Sequence, residues 1–68
     1  MRVKVELLPD GRVDEIEVPA GSTINDVLGR MGLRPDMFIV IRGKVPVPED
    51  DAVVDDDRLR IIRVASGG

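Results

Sequence analysis

Arg2-Val3-Lys4-Val5-Glu6-Leu7-Leu8-Pro9-Asp10-Gly11-Arg12-Val13-Asp14-Glu15-Ile16-Glu17-Val18 opens the chain with two alternating runs around a turn. Val3, Val5 and Leu7 fall on one side of the first run and Arg2, Lys4 and Glu6 on the other, the period of two of a half-buried strand. Pro9-Asp10-Gly11 reverses the chain, because Pro presets φ, Asp bonds locally and Gly accepts positive φ. The alternation resumes from Arg12 to Val18, with Ile16 and Val18 inward and Glu15 and Glu17 outward. The pair reads as a hairpin, ended by Pro19-Ala20-Gly21.

A helix follows. Thr23 suits its N-cap, with Ser22 as the alternative, and Asp26 three residues on makes a weak capping box. Ile24, Val27, Leu28 and Met31 fall at i, i+3, i+4 and i+7, one buried face, and Gly32-Leu33 reads as a C-cap with its apolar contact. The spacing predicts a helix from about Ile24 to Met31. Gly29 inside it costs up to about 1 kcal/mol against Ala and suggests a close backbone approach.

Met37-Phe38-Ile39-Val40-Ile41 is apolar on both sides, as in a strand in the middle of a sheet. Arg42-Gly43-Lys44 turns the chain, and Val45-Pro46-Val47-Pro48 can form only an edge segment, since proline donates no ladder hydrogen bond. Arg58 to Val64 is the last strand, with Leu59 and Ile61 inward and Arg58, Arg60, Ile62 and Val64 outward. A bulge that turned Ile62 and Val64 inward is the competing reading, because Leu59-Arg60-Ile61-Ile62 breaks strict alternation. Strand, strand, helix, strand, short edge, strand is an α+β order. Connection rules favour a mixed sheet of four or five strands with one helix across one face and the first and last strands parallel in the middle, the β-grasp arrangement. Residues 1–64 form this single domain, and 65–68 a flexible tail.

At 68 residues the chain buries about 60% of its unfolded surface and has no room for a deep cleft. Phe38 is its one aromatic residue, and it has no cysteine and no histidine. The usual general bases, covalent nucleophiles and transition-metal ligands are therefore missing, and the chain is expected not to be an enzyme. Asp50, Asp51, Asp55, Asp56 and Asp57 lack the spacing and glycine bend of a calcium loop, so no metal site is expected. Neither a signal peptide nor an apolar run long enough for a membrane is visible, which predicts a cytoplasmic protein. The net charge of -3 comes in blocks. Glu49-Asp50-Asp51 and Asp55-Asp56-Asp57 read as solvated loops, and Arg58, Arg60 and Arg63 follow on the last strand. Such a basic strip suits a protein partner better than nucleic acid.

The chain closes on Ala65-Ser66-Gly67-Gly68. Two glycines have no side chains to shield a carboxylate, so this end can thread a narrow channel and present its carboxyl carbon. Fraying small residues are the plainer account. Lys4 and Lys44 are the two lysines and so the internal positions open to self-conjugation, although solvated lysines are common on any surface.

Taken together, Thr23-Ile24-Asn25-Asp26-Val27-Leu28, Gly32-Leu33-Arg34-Pro35, Val40-Ile41-Arg42-Gly43-Lys44-Val45-Pro46 and Arg60-Ile61-Ile62-Arg63-Val64-Ala65-Ser66-Gly67-Gly68 resemble one family over the whole chain. It is that of the ubiquitin-like sulfur carriers related to ThiS and MoaD and the small archaeal modifier proteins, and Val47-Pro48-Glu49-Asp50 leans toward the archaeal members. Asp56-Asp57 stands where the family often has Gly-Asp, and Arg42-Gly43 where many members have Asn-Gly. The resemblance implies that Gly68, approached through Gly67, is acted upon. A partner activating enzyme of the ubiquitin-activating type would use ATP and Mg²⁺ to adenylate the carboxylate. A thiocarboxylate, or an isopeptide bond to a lysine of a target protein, would follow, with no cofactor bound by the chain itself. Sulfur donor and acceptor proteins are the further partners, and the chain is expected to be a monomer. For the activating enzyme the outer sheet face offers Ile62 and Val64 ringed by Arg58, Arg60 and Arg42. A non-covalent β-grasp module for RNA or a small ligand, with an incidental Gly-Gly end, is the alternative. Removing the two glycines would separate them.

Overall fold

Alternation carries β1 (Arg2–Leu8) and β2 (Arg12–Glu17) into an antiparallel hairpin in which Val3 lies opposite Ile16 and Lys4 opposite Glu15. The computed structural model describes residues 1–64. α1 (Ile24–Arg30) follows, then a single 3-10 turn at Pro35–Met37, β3 (Phe38–Arg42), β4 (Val45–Val47) and β5 (Asp57–Arg63). The five strands form one sheet in the order β2-β1-β5-β3-β4, with β1 and β5 parallel at its centre and the other neighbours antiparallel. This is the expected β-grasp fold. The core lies between the sheet and α1, where Ile24, Val27 and Leu28 meet Val3, Val5, Val40, Leu59 and Ile61. Among the described residues no helix is long and apolar enough to cross a membrane.

Thr23 is the N-cap. Its hydroxyl accepts from the Asp26 N–H at 3.3 Å, and the Asp26 carboxylate accepts from the Thr23 N–H at 2.8 Å, a complete capping box. The next two N–H groups of the helix find the acidic loop, Ile24 donating to the Asp51 carbonyl and Asn25 to that of Glu49. Glu49–Asp51 is therefore part of the helix cap through its backbone, rather than only a solvated run. At the other end Leu33 N–H reaches the Leu28 carbonyl and Gly32 N–H that of Gly29, with Gly32 at φ +72, a Schellman motif. It ends the helix at Arg30, leaving Met31 as the cap. Gly29 faces solvent, and a Cβ there would meet nothing within 4 Å. No close backbone approach accounts for it.

β5 pairs in unbroken register with both neighbours, so there is no bulge to turn Ile62 and Val64 inward. Leu59 and Ile61 are buried, Ile62 is half-buried on the opposite face and Val64 is 38% exposed. β3 lies inside the sheet between β5 and β4, yet its outer face is open, with Ile39 45% exposed. Its apolar character on both sides thus marks one core face and one exposed face.

Candidate functional site: the outer sheet face beside the chain end

Register builds this face row by row. Ile62 of β5 stands opposite Leu8 of β1 and Ile39 of β3, so three aliphatic side chains cross the three inner strands side by side. In the neighbouring row Glu6, Arg60 and Ile41 stand abreast, with Val13 and Pro46 on the flanking strands. Arg60 Nε lies 3.5 Å from the Glu6 carboxylate. One row further on, Lys4 stands opposite Arg58, both exposed, and an open depression of about 370 Å³ extends over Lys4, Arg58, Arg60 and Val13. Arg2 and Arg60 have carboxylate partners. Neither Lys4 nor Arg58 has one among the described residues, although like charges placed directly opposite repel.

The aliphatic row lies at the end of the sheet where β5 finishes. Val64 N–H donates to the Met37 carbonyl at 2.9 Å, the last hydrogen bond in the described chain. Ala65, Ser66, Gly67 and Gly68, which include both expected reactive residues, lie outside the described residues. Of the expected partner-binding residues, Arg58, Arg60 and Ile62 share the outer face, and Val64 stands exposed just beyond the end of β5. Leu8, Ile39 and Ile41 join them. Their signal in the sequence was parity, since Leu8 and Ile39 occupy outward positions of their strands. Lys4 is in the middle of this face and Lys44 is exposed in the β3–β4 turn.

Arg42 does not belong to it. It stands opposite Leu59, two residues from buried Val40, and so projects on the helix-bearing side of the sheet. There its Nε and Nη2 donate to the two oxygens of Asp57 at 3.0 and 2.7 Å, Nη2 also to the Ala52 carbonyl at 3.0 Å, and Nη1 to Asp51 at 3.4 Å. Asp57 is no loop residue either, its side chain being 3% exposed, and it accepts further from the Val54 and Arg58 N–H groups. Burial alone would push this carboxyl up. The Arg42 fork, the two backbone N–H groups and the guanidinium charge outweigh it and hold Asp57 below its ordinary value. The Arg42 guanidinium is in turn raised, chiefly by its hydrogen bond to Asp57. Asp55 accepts from the Arg2 N–H, and Asp56 takes a left-handed φ of 61. The second acidic block is therefore an ordered turn. Among the described residues no group of three or more Asp or Glu is placed to hold a metal ion.

A helix across one face of a mixed sheet, an open face part aliphatic and part basic, and a central strand that ends beside it together define a ubiquitin-like protein of the β-grasp type. The family model described as small archaeal modifier protein 2 matches residues 1–65, and the chain belongs to that family. Its relatives include the sulfur carrier protein TtuB of Thermus thermophilus, 32% identical over 68 residues and matched along the whole of both chains. An uncharacterized protein of Archaeoglobus fulgidus is 32% identical over 69 residues, again along the whole of both chains. In fold the chain resembles the crystal structure of SAMP1 from Haloferax volcanii, with a TM-score of 0.77 and 20% identity over both complete chains. The family is one of small carriers and modifiers rather than catalysts.

Proposed function

We propose that the protein is a sulfur carrier and protein modifier whose Gly68 carboxylate is activated by a partner enzyme and then converted to a thiocarboxylate or joined to a lysine. The observation that carries this reading is the aliphatic row Leu8–Ile62–Ile39 at the end of the sheet where β5 finishes, in a member of a carrier and modifier family. The partner docks on that row and on Arg58 and Arg60 around it. Beyond Val64, four residues reach about 14 Å when extended, enough to carry a carboxylate away from the sheet into another protein's site. Gly67 and Gly68 keep that reach slender.

The chain supplies no catalytic group. The partner supplies ATP and Mg²⁺, and a Gly68 carboxylate oxygen displaces pyrophosphate to give an acyl adenylate. AMP is then a good leaving group where oxide was not. Hydrosulfide that attacks the acyl carbon expels AMP and, losing its proton, leaves a thiocarboxylate. A protein persulfide that does so leaves an acyl disulfide, from which a second thiol takes the persulfide protein's own sulfur as a disulfide and frees the thiocarboxylate. A lysine amine that attacks the acyl carbon and expels AMP loses a proton and leaves an isopeptide bond. Intact-mass measurement of the protein from its native cells, with a search for cellular lysines carrying the Val-Ala-Ser-Gly-Gly remnant that trypsin leaves after Arg63, tests the reading. The expected result is an oxygen-to-sulfur mass gain at Gly68, or conjugates that disappear when Gly67 and Gly68 are deleted. Unmodified Gly68 throughout, together with no adenylation by the host's activating enzymes, would sink it.

A further inference from the structure

Amines and guanidinium groups are placed differently along the sheet. In β5 the stretch from Arg58 to Val64 spans about 20 Å at the usual rise of a strand. Lys4 stands opposite Arg58, at the far end of that stretch, and its exposed side chain lies on the outer face. Lys44 is exposed in the β3–β4 turn beyond Arg42, which stands opposite Leu59, so it too is at about the level of Arg58. The Met1 ammonium is farther still from Val64, ahead of the Val3–Asp57 pair, and donates to the Val18 carbonyl at 2.7 Å. These are the amines of the chain, which has two lysines. The cations nearer Val64 are of another kind. Arg63 is next to it, Arg60 is about 13 Å before it in the strand, and Arg34 precedes the Pro35–Met37 turn, whose Met37 carbonyl accepts the Val64 N–H. All three are exposed.

We propose that this placement makes acyl transfer from Gly68 intermolecular, with Arg34, Arg60 and Arg63 the residues that keep an activated end from being consumed by its own chain. The inference rests on the carrier and modifier reading, which makes Gly68 an acyl donor. Four residues beyond Val64 reach about 14 Å, against about 20 Å to the level of Lys4 and Lys44. A lysine side chain closes that gap only when it and all four residues lie stretched along the sheet, one arrangement among very many. The Met1 amine has no such arm and stays out of range. Positions 60 and 63 lie inside the reach, and a lysine there would meet the acyl carbon at an effective concentration of the order of millimolar. Its amine would attack that carbon, an amide C–N bond would form as AMP or a thiolate departs, and the ammonium proton would pass to solvent. Arginine keeps the positive charge without that loss, because its guanidinium holds its protons to above about pH 12 and is no nucleophile at neutral pH. Charge alone is met equally by lysine. Reach is what separates the two residues at these positions.

The test needs no activating enzyme. The full chain is prepared as a mercaptoethanesulfonate thioester on Gly68 and held, folded, at about pH 8, where a small fraction of lysine is the free amine. Its concentration is kept well below about 1 mM, so that capture within a chain outruns capture between chains. Intact mass separates hydrolysis, which gives the free acid, from an internal amide, which is lighter than the acid by one water, and protease mapping places the bond. The parent thioester is expected to hydrolyse without forming an internal amide. Arg60→Lys and Arg63→Lys, made separately and conserving charge, should each form one to the new lysine, at least tenfold faster than any bond to Lys4 or Lys44. An internal amide on Lys4, Lys44 or Met1 of the parent, or no cyclic product from either variant, would overturn the proposal. Because the thioester is made chemically, such a result is a failure of reach alone. The carrier reading is decided separately, by the mass of Gly68 in native cells.

Discussion

Asp57 takes four hydrogen bonds, two from Arg42 and one each from the Val54 and Arg58 N–H groups. Asp57→Asn keeps the shape but removes the charge and one acceptor oxygen. It should lower unfolding stability by about 2–3 kcal/mol, measured by denaturant at pH 7. Because the folded carboxyl is held below its ordinary value, its contribution is complete at neutral pH. It drains away as pH falls below the unfolded aspartate value of about 3.9 and toward the folded one, so the acid limb of the stability profile should flatten in Asp57→Asn. Arg42→Ala should be destabilising for the same reason. Arg60→Ala, which breaks only an exposed pair with Glu6, should change stability by less than about 1 kcal/mol. At Gly29 the backbone is helical and a Cβ finds open space, so Gly29→Ala should raise stability by up to about 1 kcal/mol, seen as a higher melting temperature.

Among the elements, α1 is only seven residues long, too short to stand without its caps and its buried face. Thr23→Ala removes the hydroxyl that accepts from Asp26 and should cost about 1 kcal/mol in denaturant unfolding. The helix was readable residue by residue, because cap chemistry and a 3.6 period are local. β5 was half readable. Parity separates Leu59 and Ile61 from Arg58, Arg60 and Ile62, but only pairing with β1 and β3 sets Leu8, Ile62 and Ile39 in one row. Ile62→Lys on that row should leave the melting temperature within a few degrees of the parent and lower adenylation by the partner at least tenfold, measured as pyrophosphate release. Loss of the fold together with loss of activity would instead mark Ile62 as a core residue.

For the whole molecule, alternation in β1, β2 and β5, the single helical stripe and the proline-bearing edge together determined a β-grasp fold. Each of these is a local periodicity, and few topologies bury such faces in 68 residues. The missing His and Cys and the diglycine end were equally plain in the chain itself. What only the tertiary structure decided lies in long-range pairing. Asp55, Asp56 and Asp57 look alike in sequence, yet one accepts from the Arg2 N–H, one turns the chain and one is buried on Arg42. Arg42 reads as a turn residue beside Gly43, yet the β3–β5 register sends it to the helix side of the sheet. The open rim of β2 could not be known before the strand order placed it at an edge. Local periodicity says which face of an element is buried. Which elements become neighbours, and so which charges meet and which edges stay open, depends on contacts between residues far apart in the chain.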